Sequence, residues 1–124
     1  MIPTIGPRSG KIWGTTQLGF AFNGVEAHAI HVAAGGYCSR HSHRSKWNRF
    51  QVLRGKLIVR LYFTPDDVAD ETIVGVGQVT DVPPGVSHDF EALEDVIAIE
   101  YYWTVLDTND IDRHGTQGGR HATT

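Results

Sequence analysis

Turn-forming residues recur so often along this chain that no long helix fits between them. Breaks fall at Gly35-Gly36, Gly55, Gly75, Gly77 and Pro83-Pro84-Gly85, and the stretches between them are short and rich in β-branched and aromatic side chains, the composition of strands. Val25-Glu-Ala-His-Ala-Ile-His-Val32 reads as a strand running into the first turn. Residues 50–53 and 56–63 flank Arg54-Gly55, a hairpin with Gly55 at a position needing positive φ. Residues 64–70 form a polar loop, 73–76 and 78–82 are short strands, and 96–105 is the longest strand candidate. No segment keeps a helical apolar period beyond a turn or two, and there is no internal repeat. Many short strands at intervals of roughly 8–12 residues predict an all-β barrel or sandwich.

Length and composition agree with one soluble domain. With 124 residues, 40% of them hydrophobic, a single core can form without a staple. No stretch approaches the ~20 apolar residues of a membrane span, so no membrane partner is expected. Cys38 is the sole cysteine, which excludes an internal disulfide. Together with an N-terminus that has no apolar signal core, this makes a reducing cytoplasm the expected compartment. The first ten residues carry two prolines and two glycines and read as an arm. Residues 113–124 are polar and glycine-rich, a flexible tail in which His114 and His121 read as solvated.

Charge is segregated. The net charge of −3 argues weakly against a nucleic-acid partner, yet seven of the eleven basic residues lie between Arg40 and Arg60. Thirteen of the fourteen acids lie between Asp66 and Asp112. This pattern reads either as a positive mouth that steers an anionic ligand or as oppositely charged sheets or a complementary dimer interface.

Three histidines carry the chemistry. On an extended segment His41-Ser42-His43 puts two imidazoles on one face, about 7 Å apart at the backbone, close enough to converge on one ion at ~2.0–2.1 Å per bond. His88 follows Pro83-Pro84-Gly85-Val86-Ser87, a rigid turn that can bring a third ring from another strand. Three neutral imidazoles suit a divalent transition metal, Fe, Ni, Zn, Mn or Cu.

The glycines and prolines around these histidines form two ordered blocks. Gly35, His41, His43, Asn48 and Gly55 make the first; Gly77, Pro83, Gly85 and His88 make the second. The pair resembles the two signature motifs of the cupin superfamily, and the resemblance covers about residues 25–105. It implies an antiparallel jelly-roll (cupin) barrel with an extended N-terminal arm and a flexible polar C-terminal tail. The expected division is 1–24 for the arm and first strands, 25–106 for the barrel and 107–124 for the tail. The resemblance also implies a metal at the barrel mouth and a homodimer. His41, His43 and His88 match its ligand positions. Asn48 matches the fourth, usually a glutamate, so the metal set is read as His41, His43, His88 and Asn48. An amide there removes a negative charge and leaves a weak oxygen donor, similar to three-histidine oxygenase sites, and a metal-free site as in cupin-like epimerases stays open. Ala92 stands where the second motif often ends in asparagine.

Other residues are weighed beside these. Cys38, at odd spacing from His41, is expected to face away from the metal if its strand is regular, as a structural cysteine. His28 and His31, three apart, point to opposite faces, so at most one faces the interior, as a base or as a packed histidine. On the last strand the apolar set Ile97, Ile99, Tyr101 and Trp103 is the expected core set, which sends Glu100 and Tyr102 outward. The opposite assignment makes Glu100 and Tyr102 an acid–base pair inside the barrel. Candidate catalytic residues are therefore Tyr102, Glu100 and His28. Arg40, Arg44 and Arg49, with Lys46, are candidates to orient an anionic group. Trp47 is a candidate to cap the pocket, or with Trp13 an interface anchor.

The resulting expectation is a metal-binding cupin, an enzyme of dioxygenase or isomerase type acting on a small organic substrate through a three-histidine site. The alternatives are a metal-free sugar or nucleotide-sugar isomerase, with His43 or His88 as base and Tyr102 as acid, and a non-catalytic small-molecule-binding barrel.

Overall fold

The computed structural model describes residues 8–64, 70–104, 110 and 118–122. Residues 1–7 of the expected arm, 65–69 of the polar loop, and 105–109, 111–117 and 123–124 of the expected tail, including His114, lie outside the described residues. Among those described, every regular element is a strand. These are β1 (Arg8–Lys11), β2 (Gly14–Phe22), β3 (Val25–Val32), β4 (Trp47–Arg54), β5 (Leu57–Tyr62), β6 (Asp70–Val74), β7 (Val79–Val82), β8 (Ser87–Ala92) and β9 (Val96–Trp103). The chain is all-β, and every strand pairing is antiparallel.

Two sheets face each other as a jelly roll. One has six strands in the order β1-β2-β3-β9-β4-β7, the other three in the order β6-β5-β8. The segment before β4 extends the smaller sheet. It bridges to β8 at Tyr37↔Glu91 and His41↔His88, and Cys38 N donates to Phe90 O at 3.1 Å. The partner numbers sum to 128 at Tyr37 and Cys38 but to 129 at His41, so one extra residue is accommodated between Cys38 and His41. That slip is a bulge, and it reverses the expected orientation of Cys38.

The barrel is sealed at one end and polar at the other. Along β4 the inward residues run Val52, Phe50, Asn48, and along β8 they run Ala92, Phe90, His88; all six are buried. On β9 the buried residues are Val96 and Ala98, so strand alternation puts Glu100 and Tyr102 on that same inward face. On β3 it is Val32 and Ile30 that are buried, which turns His28 and Glu26 inward and leaves His31 exposed. All four rows thus change from apolar to polar in the same direction. At the apolar end Phe90 meets Phe50 and Trp13 edge-on, with centroids 5.7 and 5.2 Å apart.

This arrangement corrects the expected core set of the last strand. Ile97 is exposed, while Tyr101 and Trp103 line a groove on the outer face of the larger sheet with Arg49. Apolarity misled because the inner face of β9 carries small residues at the sealed end and polar ones at the open end. The charge segregation also has a structural outcome. Basic β4 and β5 lie beside acidic neighbours, with Arg49 on Asp81 at 2.6 Å and Arg60 on Glu71 and Glu91, each at 2.9 Å.

Gly55 closes the β4–β5 hairpin at φ 83°, and a Cβ built there would lie 2.2 Å from the Asp95 carbonyl oxygen. Gly55→Ala is therefore expected to cost at least ~1–2 kcal/mol, because strain and a backbone clash act together. Chemical denaturation would read the loss, and an unchanged midpoint would contradict this account of the turn.

Candidate metal centre

His41 and His88 occupy directly opposed positions of an antiparallel bridge. His41 N donates to His88 O at 3.0 Å and His88 N to His41 O at 2.8 Å. Cross-strand pairing therefore puts both rings on one face, with centroids 4.4 Å apart. His43, two residues on, shares that face, and its carbonyl accepts from Gly85 N at 2.7 Å. The Pro83-Pro84-Gly85 turn, with Gly85 at φ 80°, thus clasps the His41–His43 segment and delivers His88 beside it. One donor nitrogen from each of the three histidines lies within 4.8 Å of the other two.

Backbone carbonyls set the rings' orientation. Nδ1 of His41 lies 2.7 Å from Ser39 O, and Nδ1 of His88 lies 3.0 Å from Val86 O. With Nδ1–H donating, the Nε2 lone pairs are the free ones. Burial lowers the pKa of His88, and it lowers that of His43 to about 4 from its ordinary 6.5, helped by the neighbouring charges of His41, His88 and Lys46. Neutral rings with free lone pairs are what a metal ligand requires.

Three buried polar atoms here have no partner: His43 Nε2, His88 Nε2 and Asn48 Oδ1. Such orphans are costly in a folded protein, and Asn48 and His88 are both 0% exposed. A cation held between the rings would satisfy the two histidine nitrogens, so the histidines present fit a divalent transition metal. His41, His43 and His88 would hold it.

A cavity of about 390 Å³ reaches His41 and is lined in part by Trp13, His28, Cys38, Glu100 and Tyr102. Glu100 lies within hydrogen-bonding reach of the Tyr102 hydroxyl and the Asn48 amide, and burial raises its pKa. The Tyr102 ring meets the rings of His43 and His28, at 5.1 and 5.8 Å between centroids, and burial beside Glu100 raises the phenol as well. His28 Nε2 lies 3.2 Å from Glu26 Oε2. Cys38, turned inward by the bulge, accepts from Phe90 N through Sγ at 3.3 Å, and burial pushes its thiol up to about 11. A thiol so held is neutral and weakly nucleophilic.

The basic and tryptophan candidates have separate surroundings. Arg49 forks onto Asp81 on the outer face, and Trp47 stacks on Trp103 there, 6.1 Å between centroids and 13° between planes. The Arg40 guanidinium lies 3.6 Å over the Tyr62 ring and donates to Thr64 O. Arg44 is exposed. Lys46 lies at the polar end, its Nζ 4.0 Å over the Tyr102 ring, and Lys11 lines the cavity itself. The parity of Lys46 with Asn48 on the approach to β4 is the signal in the sequence that singles it out.

Depressed histidine pKa values make the metal-free protein acid-sensitive. The folded state binds fewer protons than the unfolded one between about pH 4 and 6.5, so the contribution of His43 is present above 6.5 and lost as pH falls toward about 4. Thermal melts of metal-free protein are expected to show Tm falling across that window, with a shallower fall in His43→Gln. Equal slopes in the two proteins would contradict it.

The all-β jelly roll with a histidine cluster at its open end defines a class, and comparison with solved structures gives that class its name: the fold is of the cupin type. KdgF from Halomonas sp. superposes with a TM-score of 0.69 at 16% identity, covering 81% of this chain and 89% of that one. An RmlC-like cupin from Shewanella frigidimarina gives 0.65 at 19%, covering 83% and 85%. The capsular polysaccharide assembling protein CapF from Staphylococcus aureus gives 0.70 at 22%, covering 86% of this chain but only 30% of that one. No protein-family model matches the sequence, and no curated protein matches it. Among the described residues no helix is long and apolar enough to cross a membrane.

Proposed function

We propose that this chain is a metal-dependent cupin enzyme of isomerase type, moving a proton within a small organic substrate that carries a carbonyl or hydroxyl oxygen. The observation that carries the reading is the pairing, in one cavity wall, of a carboxyl and a phenol beside the histidine cluster. Glu100 and Tyr102 are in hydrogen-bonding reach of each other, and Tyr102 touches His43. A divalent transition metal bound by His41, His43 and His88 would supply Lewis-acid polarisation of a substrate oxygen. Glu100 takes a proton from one substrate atom and returns it to another, so the net proton count is unchanged. Tyr102 donates its hydroxyl hydrogen bond to the carboxylate and fixes its direction, while Trp13 gives the substrate an apolar wall. Lys46 gives an anionic substituent a partner at the rim. The acid–base pair favours proton transfer over dioxygen chemistry.

Two measurements test this reading. Metal content by mass spectrometry, on protein purified without an affinity tag or chelator, is expected to be near one equivalent of a transition metal. A screen of sugars, sugar acids and keto acids in D2O, followed by NMR, is expected to show deuterium incorporation at carbon. Incorporation without metal would favour a metal-free isomerase with His43 as base and Tyr102 as acid. Oxygen consumption without incorporation would favour a dioxygenase. Tight binding with neither would leave a small-molecule-binding barrel. Cytoplasmic location and a homodimer are parts of the same proposal.

A further inference from the structure

An asparagine side chain presents an oxygen at one end and a donor at the other, and only the oxygen can serve a cation. At position 48 the surroundings decide which end faces where. Asn48 Nδ2 donates to the Tyr101 carbonyl oxygen at 3.2 Å, and the Glu100 carboxylate is a second acceptor within reach of the same amide. Two acceptors at one end require the NH2 group there, since the flipped amide would set oxygen against oxygen twice. Oδ1 is thereby forced to the other end, where it is buried and without a partner. Asn48 pairs across the sheet with Tyr102, whose ring meets that of His43, so the amide lies one side chain away from the histidine cluster.

We propose that Glu100 is a positioning residue for the metal centre, holding the Asn48 amide, with the Tyr101 carbonyl, so that Oδ1 rather than Nδ2 is offered to the ion. The inference rests on the three-histidine metal reading given above. The carboxylate that a glutamate at position 48 would have supplied is retained, but one hydrogen bond back and from a different strand. A carboxyl group stays near the cation while the direct donor is a neutral amide oxygen.

The test uses the full metal-free chain, with Co(II) as probe. Visible absorption reads the coordination, and competition with a chromophoric chelator reads the affinity. Wild type is expected to bind one equivalent, and His88→Ala to lose it. Glu100→Leu should weaken affinity roughly 10–100-fold, the usual range for a group that orients a ligand, and should shift the spectrum to that of Asn48→Leu. The double variant should be no weaker than Asn48→Leu alone, because both changes remove one donor. Glu100→Gln, whose amide oxygen still accepts from Asn48 Nδ2, should keep the wild-type spectrum. Wild-type affinity and spectrum in Glu100→Leu, additive losses in the double variant, or a shifted spectrum in Glu100→Gln would each overturn the proposal while leaving the three-histidine site standing. Absence of Co(II) uptake by the wild type would overturn both.

Discussion

His88→Ala is expected to reduce bound transition metal from about one equivalent to none while the barrel stays folded. His88 is the residue on which the centre closes. It is 0% exposed, its Nδ1 is held by Val86 O, and its backbone forms the reciprocal bridge to His41. Removing one of three imidazoles leaves only two, and a loss beyond 100-fold in affinity follows, since even the groups that merely orient ligands contribute 10–100-fold. Folding should survive because the backbone bridge does not need the ring, and because the deleted side chain carries an unsatisfied nitrogen that disfavours the metal-free state. Mass spectrometry for metal and circular dichroism for fold give the readouts. His31→Ala, on the exposed face of β3, is the matched control and should keep its metal. Full metal occupancy in His88→Ala would remove the site as described.

Glu100→Gln at saturating metal is expected to lower deuterium incorporation into the substrate by ~10²–10⁴, the usual contribution of a positioned acid or base. Glutamine keeps the size of the side chain and an oxygen facing the Asn48 amide, so the loss isolates proton transfer from packing. The cavity supports a large effect. The carboxyl is partly buried, bonded to Tyr102, and lines the same wall as His41, so water is a poor substitute. Tyr102→Phe should cost less, because it removes only the partner that directs the carboxyl. Exchange rates equal to wild type in Glu100→Gln would reassign the base, with His28 next in the same wall.

The strands and the histidine triad were legible because both depend on local signals. β3 occupies the residues expected of it, and the glycine and proline spacing around His41, His43 and His88 specifies a turn and a bridge that bring the rings together. Facing was harder to read. The last strand has an apolar outer face and a half-polar inner one, so hydrophobicity alone assigned Ile97 and Trp103 to the core and expelled Glu100. Cys38 was misplaced for a different reason, since its direction depends on a one-residue slip against β8 that exists only once the two segments pair. Charge counting singled out Arg40 and Arg49 but could not show that Asp81 lies across the sheet from Arg49, or that Tyr62 lies under Arg40.

The change from apolar to polar along each inward row has an evolutionary consequence. Folding free energy comes mainly from the sealed end, where Phe50, Phe90, Val52 and Val96 pack, and the open end contributes little of it. Substitutions at Asn48, Glu100 or Tyr102 can therefore change what the cavity binds without removing the contacts that hold the sheets together. A chain divided in this way can change its cavity while its topology persists, and the same fold is found in solved structures at 16–22% identity over 81–86% of its length.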